Sequence, residues 1–358
     1  MRYSSDPARR YITAFFATLL LLAMATPVVV LMVDPLWLRN HENWYNRFQP
    51  TYDERLTKTL KLVYGVPKKS FDSLLLGSSR ATYLPTNRFH TLRTFNFAVS
   101  SLYPGEYLKM LELFAEEQGE PKTIIIGADF FATRNDWEDR IGPYLKDARS
   151  KSFLVPKIFS LDTLKRSFQI VLLNASGKHP SVGDEGYDRK LGKAFYRGPQ
   201  HTPYYKPMLR KYCNVVYGPS YTYNSDLPEI YSQVATRFPD TSFVIYTSPT
   251  TGVLYDALIH SGRFDDYARW LTLLVETFGE VRDLMGHNAF TDNPDNYYDY
   301  HHFSAEGGEW LIEHALEAQE PAIGARVTPA TLKVYLERKR AEAQAILAER
   351  PNPCAEFQ

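Results

Sequence analysis

Two short stretches of this chain carry the residue types of nucleophilic catalysis. Leu74-Leu75-Leu76-Gly77-Ser78-Ser79-Arg80 closes an apolar run with a glycine, two hydroxyls and a cation. Far downstream, the stretch Asn296–Ser304 (NYYDYHHFS) places Asp299 three residues before His302. A serine hydroxyl is a poor nucleophile until a base stands within hydrogen-bond reach and a third group orients that base. His302 is the candidate base. A single turn can bring Asp299 onto its imidazole, fixing the tautomer and stabilising the imidazolium that forms as Ser79 loses its proton. His301 reads as a solvent or packing residue. Arg80 is a candidate for binding an anionic group beside the serine, with a surface salt bridge as the alternative. Gly-Ser-Ser after a strand is usually only a turn, and Asp-x-x-His arises by chance. The two gain weight from their order, one at the first strand and the other before a late helix.

The elements around these stretches alternate. Apolar runs predict strands at Phe71–Leu76, Thr94–Val99, Lys122–Ile126, Ser242–Thr247 and Val281–Met285, two of them stopped by Gly77 and Gly127. Helical spacing predicts helices at Arg55–Tyr64, Pro104–Glu117, Leu227–Phe238, Phe264–Phe278, Ser304–Gln319 and Thr328–Leu347. Strands alternating with helices imply an α/β fold, a parallel sheet covered on both faces. Ligands of such sheets bind at the carboxyl ends of the strands, where Gly77-Ser78-Ser79 and Gly127-Ala128-Asp129 lie. Residues 132–225 resist this reading and are taken as a helical or irregular insertion.

The N-terminal segment bears on location. No charge falls between Tyr11 and Val33, a run of about 35 Å as a helix at ~1.5 Å per residue. That length spans a bilayer core of about 30 Å with some tilt. Arg2, Arg9 and Arg10 precede it, so residues 1–10 are expected in the cytoplasm and the main domain on the periplasmic or extracellular side of a bacterial inner membrane. Trp37, Trp44 and Tyr45 are expected in the interfacial belt. A cleaved signal peptide is the competing reading, with Ala23-Met24-Ala25 as its cleavage site. The apolar run continues past that site through Pro27 to Val33, which favours a retained anchor. The expected layout is an anchor at 11–33, a connector at 34–70, an α/β domain at 71–320 and a terminal helix and tail at 321–358.

Composition excludes some partners. Lys+Arg and Asp+Glu are both 41, so no global basic field draws the chain to nucleic acid. There is no phosphate-binding loop, no dinucleotide fingerprint and no Cys/His cluster at metal spacing, so neither a cofactor nor a metal is expected. Cys213 and Cys354 are the only cysteines; a disulfide is allowed in an oxidising compartment, but two unpaired thiols are the expectation.

With these residues in place, the chain resembles the SGNH, or GDSL-like, hydrolase superfamily over roughly Phe71 to Leu316. Gly77-Ser78-Ser79 matches the family's Gly-Asp-Ser block with Ser79 as nucleophile. Asp299-Tyr300-His301-His302-Phe303-Ser304, followed by Gly307, matches its Asp-x-x-His block. The resemblance implies a flavodoxin-like three-layer fold and a Ser79–His302–Asp299 triad. It departs from the family where the oxyanion hole should be. The second block, near Asn96–Ser101, lacks its glycine, leaving the Ser101 N–H as stand-in. The third has Asp129 where the family has an asparagine, and an ionised carboxylate cannot donate; Asn135 is the alternative donor.

A membrane helix joined to such a domain resembles the partner proteins of membrane-bound O-acyltransferases, the kind that acts in alginate acetylation and teichoic-acid D-alanylation. That resemblance implies acyl transfer through Ser79 to a cell-envelope polysaccharide, with a multispan membrane acyltransferase as partner. The alternatives are an anchored carbohydrate or lipid esterase, or a catalytically weak assembly or binding protein of the same fold.

Overall fold

The computed structural model describes residues 7–39, 41–50, 53–176, 184–189, 193–197 and 205–357. Its strands are β1 (Phe48–Pro50), β2 (Ser73–Gly77), β3 (Thr94–Asn96), β4 (Thr123–Ala128), β5 (Asp184–Asp188), β6 (Lys193–Arg197), β7 (Ser242–Thr247), β8 (Val281–Asp283) and β9 (Ala325–Val327). Its helices are α1 (Pro7–Val33), α2 (Glu54–Leu60), α3 (Tyr107–Gln118), α4 (Gly142–Ala148), α5 (Lys151–Ile158), α6 (Leu161–Ala175), α7 (Tyr205–Lys211), α8 (Leu227–Arg237), α9 (Gly252–His260), α10 (Phe264–Phe278), α11 (Ala305–Leu311) and α12 (Leu332–Glu349).

The main sheet runs β3-β2-β4-β7-β8-β9. The first five strands are parallel, and in chain order they read 2-1-3-4-5, a doubly wound arrangement. The sixth differs from the expected all-parallel sheet: β9 pairs antiparallel with β8, with Val281 opposite Val327. It is too short and too polar to leave an apolar run in the sequence.

β2 is buried along its whole length because helices cover both faces. Leu74, Leu76, Ile124 and Ile126 point into one core with Met110, Leu111 and Phe114 of α3 and Trp270, Leu271 and Leu274 of α10. Leu75 and Ile125 point into the other, against Leu311 of α11, Ile312, Tyr83 and Phe303. The period-2 alternation of strand side chains produces this split. α10 shows the helical counterpart: Phe264, Tyr267, Trp270, Leu271, Leu274 and Val275 form its buried stripe, and Gly279 closes it at φ 81°.

Three expected helices change winding at one end. Arg55–Tyr64 resolves into α2 plus a π-helical turn at Lys61–Gly65, and Ser304–Gln319 into α11 plus a π-helical turn at Ile312–Leu316. Pro104–Glu106 forms a tight 3-10 turn before α3. The segment read as an insertion supplies α4, α5, α6, α7 and the antiparallel pair β5–β6, with β1 joining β5. Residues 177–183, 190–192 and 198–204 of that segment lie outside the described residues.

α1 is the one helix among the described residues long and apolar enough to cross a membrane, and it carries Pro27 inside it. Trp44 is exposed, whereas Trp37 is buried and takes Lys61 and Arg189 over its ring at 4.6 and 5.2 Å. The expectation of an interfacial Trp37 is therefore corrected: the connector folds back onto the domain. Asp34 fixes this turn, accepting from the backbone N–H groups of Leu38 and Arg39 and pairing with Arg189. The cysteines are also corrected. Cys213 and Cys354 form a disulfide, with Cα atoms 5.5 Å apart across a separation of 141 residues.

Candidate active site

Ser79 stands in the turn that leaves β2. Gly77 makes that turn possible: its φ is 152°, and a Cβ there would meet the Cβ of Ala81 at 2.7 Å. The chain folds back at once, with Ala81 N–H on Ser78 O at 3.0 Å and the Thr82 hydroxyl on Ser79 O. This leaves the Ser79 side chain half-buried at the carboxyl end of β2, between β3 and β4, where the strand order reverses.

The loop 297–303 brings the base. Tyr297 and Phe303 bridge across it, Tyr298 N–H bonds His302 O at 2.8 Å, and Ser304 caps α11 by accepting from Gly307 N–H at 3.0 Å. Gly308 lets α11 press against the turn after Ser79, since a Cβ there would lie 2.8 Å from Tyr83 O. The result is a continuous relay. Ser79 Oγ lies 2.8 Å from His302 Nε2, and His302 Nδ1 lies 2.7 Å from Asp299 Oδ2. The other oxygen, Oδ1, accepts from the backbone N–H groups of His301 and His302 at 2.8 and 2.7 Å.

These contacts set the proton positions. Burial raises the Asp299 carboxyl, but His301, His302 and the backbone donors outweigh it and hold the group well below the usual carboxylate range. An ionised Asp299 accepts from His302 Nδ1–H, and in the neutral imidazole Nε2 then presents its lone pair to the Ser79 hydroxyl. The same carboxylate with His301 and His302 forms a set of potential metal ligands within 4.8 Å of one another. The hydrogen bonds already commit both nitrogens of His302, so a cation there would have to displace Asp299 or Ser79.

His301, expected as a solvent or packing residue, is a packed ring and also lines the cleft with Ser79, its centroid 3.9 Å from that of His302 and 5.4 Å from that of Tyr212. Burial first, then His302, lower its basicity well below the ordinary imidazole value, so it stands as a neutral ring. Tyr212 belongs to a π-helical turn that no sequence period announces.

The second-block loop is held by α2. Arg55 pairs bidentately with Glu106 at 3.0 and 2.9 Å and donates to the carbonyls of Ser100 and Ser101 at 2.9 and 3.1 Å. Glu54 accepts from Ser100 N–H, and Lys58 donates to Asn96 Oδ1 and Ala98 O. Ser101 is thereby held at φ 52°, a left-handed conformation that a glycine adopts freely and a serine rarely. It lines the cleft with Ser79, and among the described residues neither its N–H nor that of Ser79 has a hydrogen-bond partner. Both residues therefore line the cleft with an unsatisfied backbone donor among the described residues.

Asp129 and Arg80 do something else. Both are about 3% exposed at the side chain and form a buried ion pair. Arg80 also donates to the Tyr212 hydroxyl at 2.7 Å and lies 5.2 Å over the Phe131 ring. Asp129 is thus an acceptor, not an oxyanion donor, and the Arg80 guanidinium is committed inward to shaping the cleft. Burial raises the Tyr212 hydroxyl to about 12, so it remains a neutral donor and acceptor. Asn135 is exposed, bonds Thr222 O through its backbone N–H at 2.9 Å and is not among the residues lining the cleft.

The cleft itself encloses about 110 Å³ among Ser79, Ser101, Phe131, Lys211, Tyr212 and His301. That is room for several water molecules or a short acyl group. A second cavity of about 470 Å³ opens on the far side of the 299–302 segment, where His287 bridges Asp256 and Asp292 at 2.8 and 2.6 Å. Comparison of the chain with known protein families, with curated proteins and with solved structures finds no match.

Proposed function

We propose that the chain is a membrane-anchored serine acyl-transfer protein of the SGNH kind. The observation that carries this reading is the hydrogen-bonded line Ser79–His302–Asp299 at the reversal point of a doubly wound sheet. His302 takes the Ser79 proton as Oγ attacks an acyl carbonyl, and later returns it to the leaving group. The N–H groups of Ser79 and Ser101 face the developing oxyanion. The acceptor is a hydroxyl of a cell-envelope polysaccharide, and the acyl group is handed over by a multispan membrane O-acyltransferase. The small cleft supports a short acyl group such as acetyl. Arg9 and Arg10 in the first turn of α1, together with the disulfide, support an exported domain on a cytoplasmic-membrane anchor.

One observation favours a second reading, a slow or non-catalytic binding protein. Asp129 stands at the sequence position where the SGNH resemblance expects an asparagine donor and is instead paired with Arg80, and losing one such donor costs about 100- to 1000-fold in rate. The two readings part on one experiment. The detergent-solubilised full chain is given p-nitrophenyl acetate with and without a neutral oligosaccharide, and acetyl is followed by mass spectrometry. Acetyl on Ser79 and then on the sugar supports transfer. Acetate released faster than by Ser79→Ala, with no acetylated sugar, assigns a hydrolase; neither acetyl-Ser79 nor acetate above that control assigns the non-catalytic reading.

A further inference from the structure

α6 is built inside out. Its buried face is Thr163, Ser167 and Ile170, while Leu161, Phe168 and Leu172 are exposed by 77%, 55% and 68% beside the polar Asp162, Lys165 and Gln169. A helix on the wet surface of a soluble domain shows the opposite arrangement. The neighbouring α5 has no buried residue and exposes Val155, with Phe159 open at the corner between the two helices. Clustered apolar exposure of this kind marks a surface that something covers.

The fold says what covers it. Both α5 and α6 pack against α1, the helix long and apolar enough to span a bilayer. α6 reaches the end of α1 where Arg166, Gln169 and Ile170 meet Pro35, and its far end is tied to Phe48 by Asn174. Thr163 and Ser167 are small residues of the kind that let membrane helices approach closely. The Ser167 hydroxyl is satisfied within the helix by Thr163 O at 3.0 Å. Lys151, Lys157 and Lys165 lie on the same two helices, where the exposed carboxylate of Asp162 is paired with Arg166, and this cationic excess suits anionic lipid headgroups. Trp44 is exposed and stacks edge-on against Tyr45, whose hydroxyl donates to Met32 O at 3.4 Å at the same end of α1.

We infer that α5 and α6 lay this face into the lipid bilayer beside α1, as a second, interfacial attachment. The inference rests on α1 spanning a membrane and not on acyl transfer. A lone membrane helix would leave the domain free to swing. Two attachments fix its orientation and hold the Ser79 cleft at one height above the lipid.

The test uses the full chain in nanodiscs of phosphatidylethanolamine and phosphatidylglycerol. Single cysteines are introduced as Leu161→Cys, Leu172→Cys, Phe16→Cys on α1 and Val334→Cys on the distant α12, and each carries an environment-sensitive fluorophore. The native cysteines are disulfide-bonded and do not compete for label. All four positions are exposed, so the fold tolerates the changes. The labels at 161, 172 and 16 are expected to lose most of their emission to lipids bearing a nitroxide on the acyl chain and little to iodide. The label at 334 should behave in the reverse way. Iodide quenching at 161 and 172, with the label at 16 still quenched by lipid, overturns the inference and leaves α1 as the sole attachment. Shielding of 161 and 172 from both quenchers also overturns it, in favour of a second copy or a protein partner. Loss of lipid quenching at 16 removes the anchor itself.

Discussion

Changing Asp299 to its own amide is the most informative perturbation of the relay. The Oδ1 position accepts from two backbone N–H groups, those of His301 and His302. In Asp299→Asn the amide oxygen must stay there, because a flipped NH2 would face two donors. The NH2 then occupies the Oδ2 position, 2.7 Å from His302 Nδ1, and donates to it. His302 is forced into the tautomer with its hydrogen on Nε2, pointing at the Ser79 hydroxyl, and can no longer accept that proton. The penalty for this exchange in serine triads is about 10,000-fold in rate. Asp299→Ala behaves differently. It strands two buried N–H groups, costing about 1–3 kcal/mol each, but leaves the tautomer free. The amide variant should therefore be the more stable of the two and the less reactive. Rate of Ser79 labelling by a fluorophosphonate, beside thermal melts, reads both quantities. Labelling of Asp299→Asn within tenfold of wild type would refute the reasoning, as would an alanine variant slower than the amide.

Other expectations follow from the surroundings of the site. Arg80→Ala leaves the Asp129 carboxylate buried and unpaired, which should cost about 3–5 kcal/mol in chemical denaturation; the paired change Arg80→Met with Asp129→Leu should recover most of it. Burial holds Lys58 down at about 7 in the fold, against an unfolded value of about 10.4. Between those values the unfolded chain binds the extra proton, so melting temperature should rise from pH 7 to pH 9, and Lys58→Met should flatten the rise; an unchanged slope contradicts the assignment. Reduction of the disulfide opens a loop spanning 141 residues and should lower stability by about 4–5 kcal/mol on loop-closure grounds, while slowing Ser79 labelling because Cys213 adjoins Tyr212 at the cleft.

Much of this architecture can be read from the chain because some signals are local. Apolar runs stopped by glycine mark β2 and β4, and the stripe of Trp270, Leu271 and Leu274 marks α10 to the residue. The three relay residues are legible for the same reason: each sits in a short block with its own spacing. What escapes the sequence is made by distant parts. β9 is three residues held by its partner strand rather than by an apolar pattern. α9 follows a run of threonine, proline and glycine that reads as loop. The disulfide joins cysteines that no spacing rule connects. Arg80 and Asp129 look like separate site residues until the fold brings β2 and β4 side by side and neutralises one with the other. His301 looks like a spare histidine until Tyr212 arrives beside it.

The central claim is that Ser79 is an activated hydroxyl, and one measurement tests it most directly. The full chain, wild type beside Ser79→Ala and His302→Ala, is exposed to a serine-directed phosphonate and mapped by peptide mass spectrometry, with thermal melts verifying that each is folded. The account predicts a single adduct on Ser79 in the wild type and none in either variant. A folded wild type that takes no adduct, or an adduct that survives in His302→Ala, would contradict it.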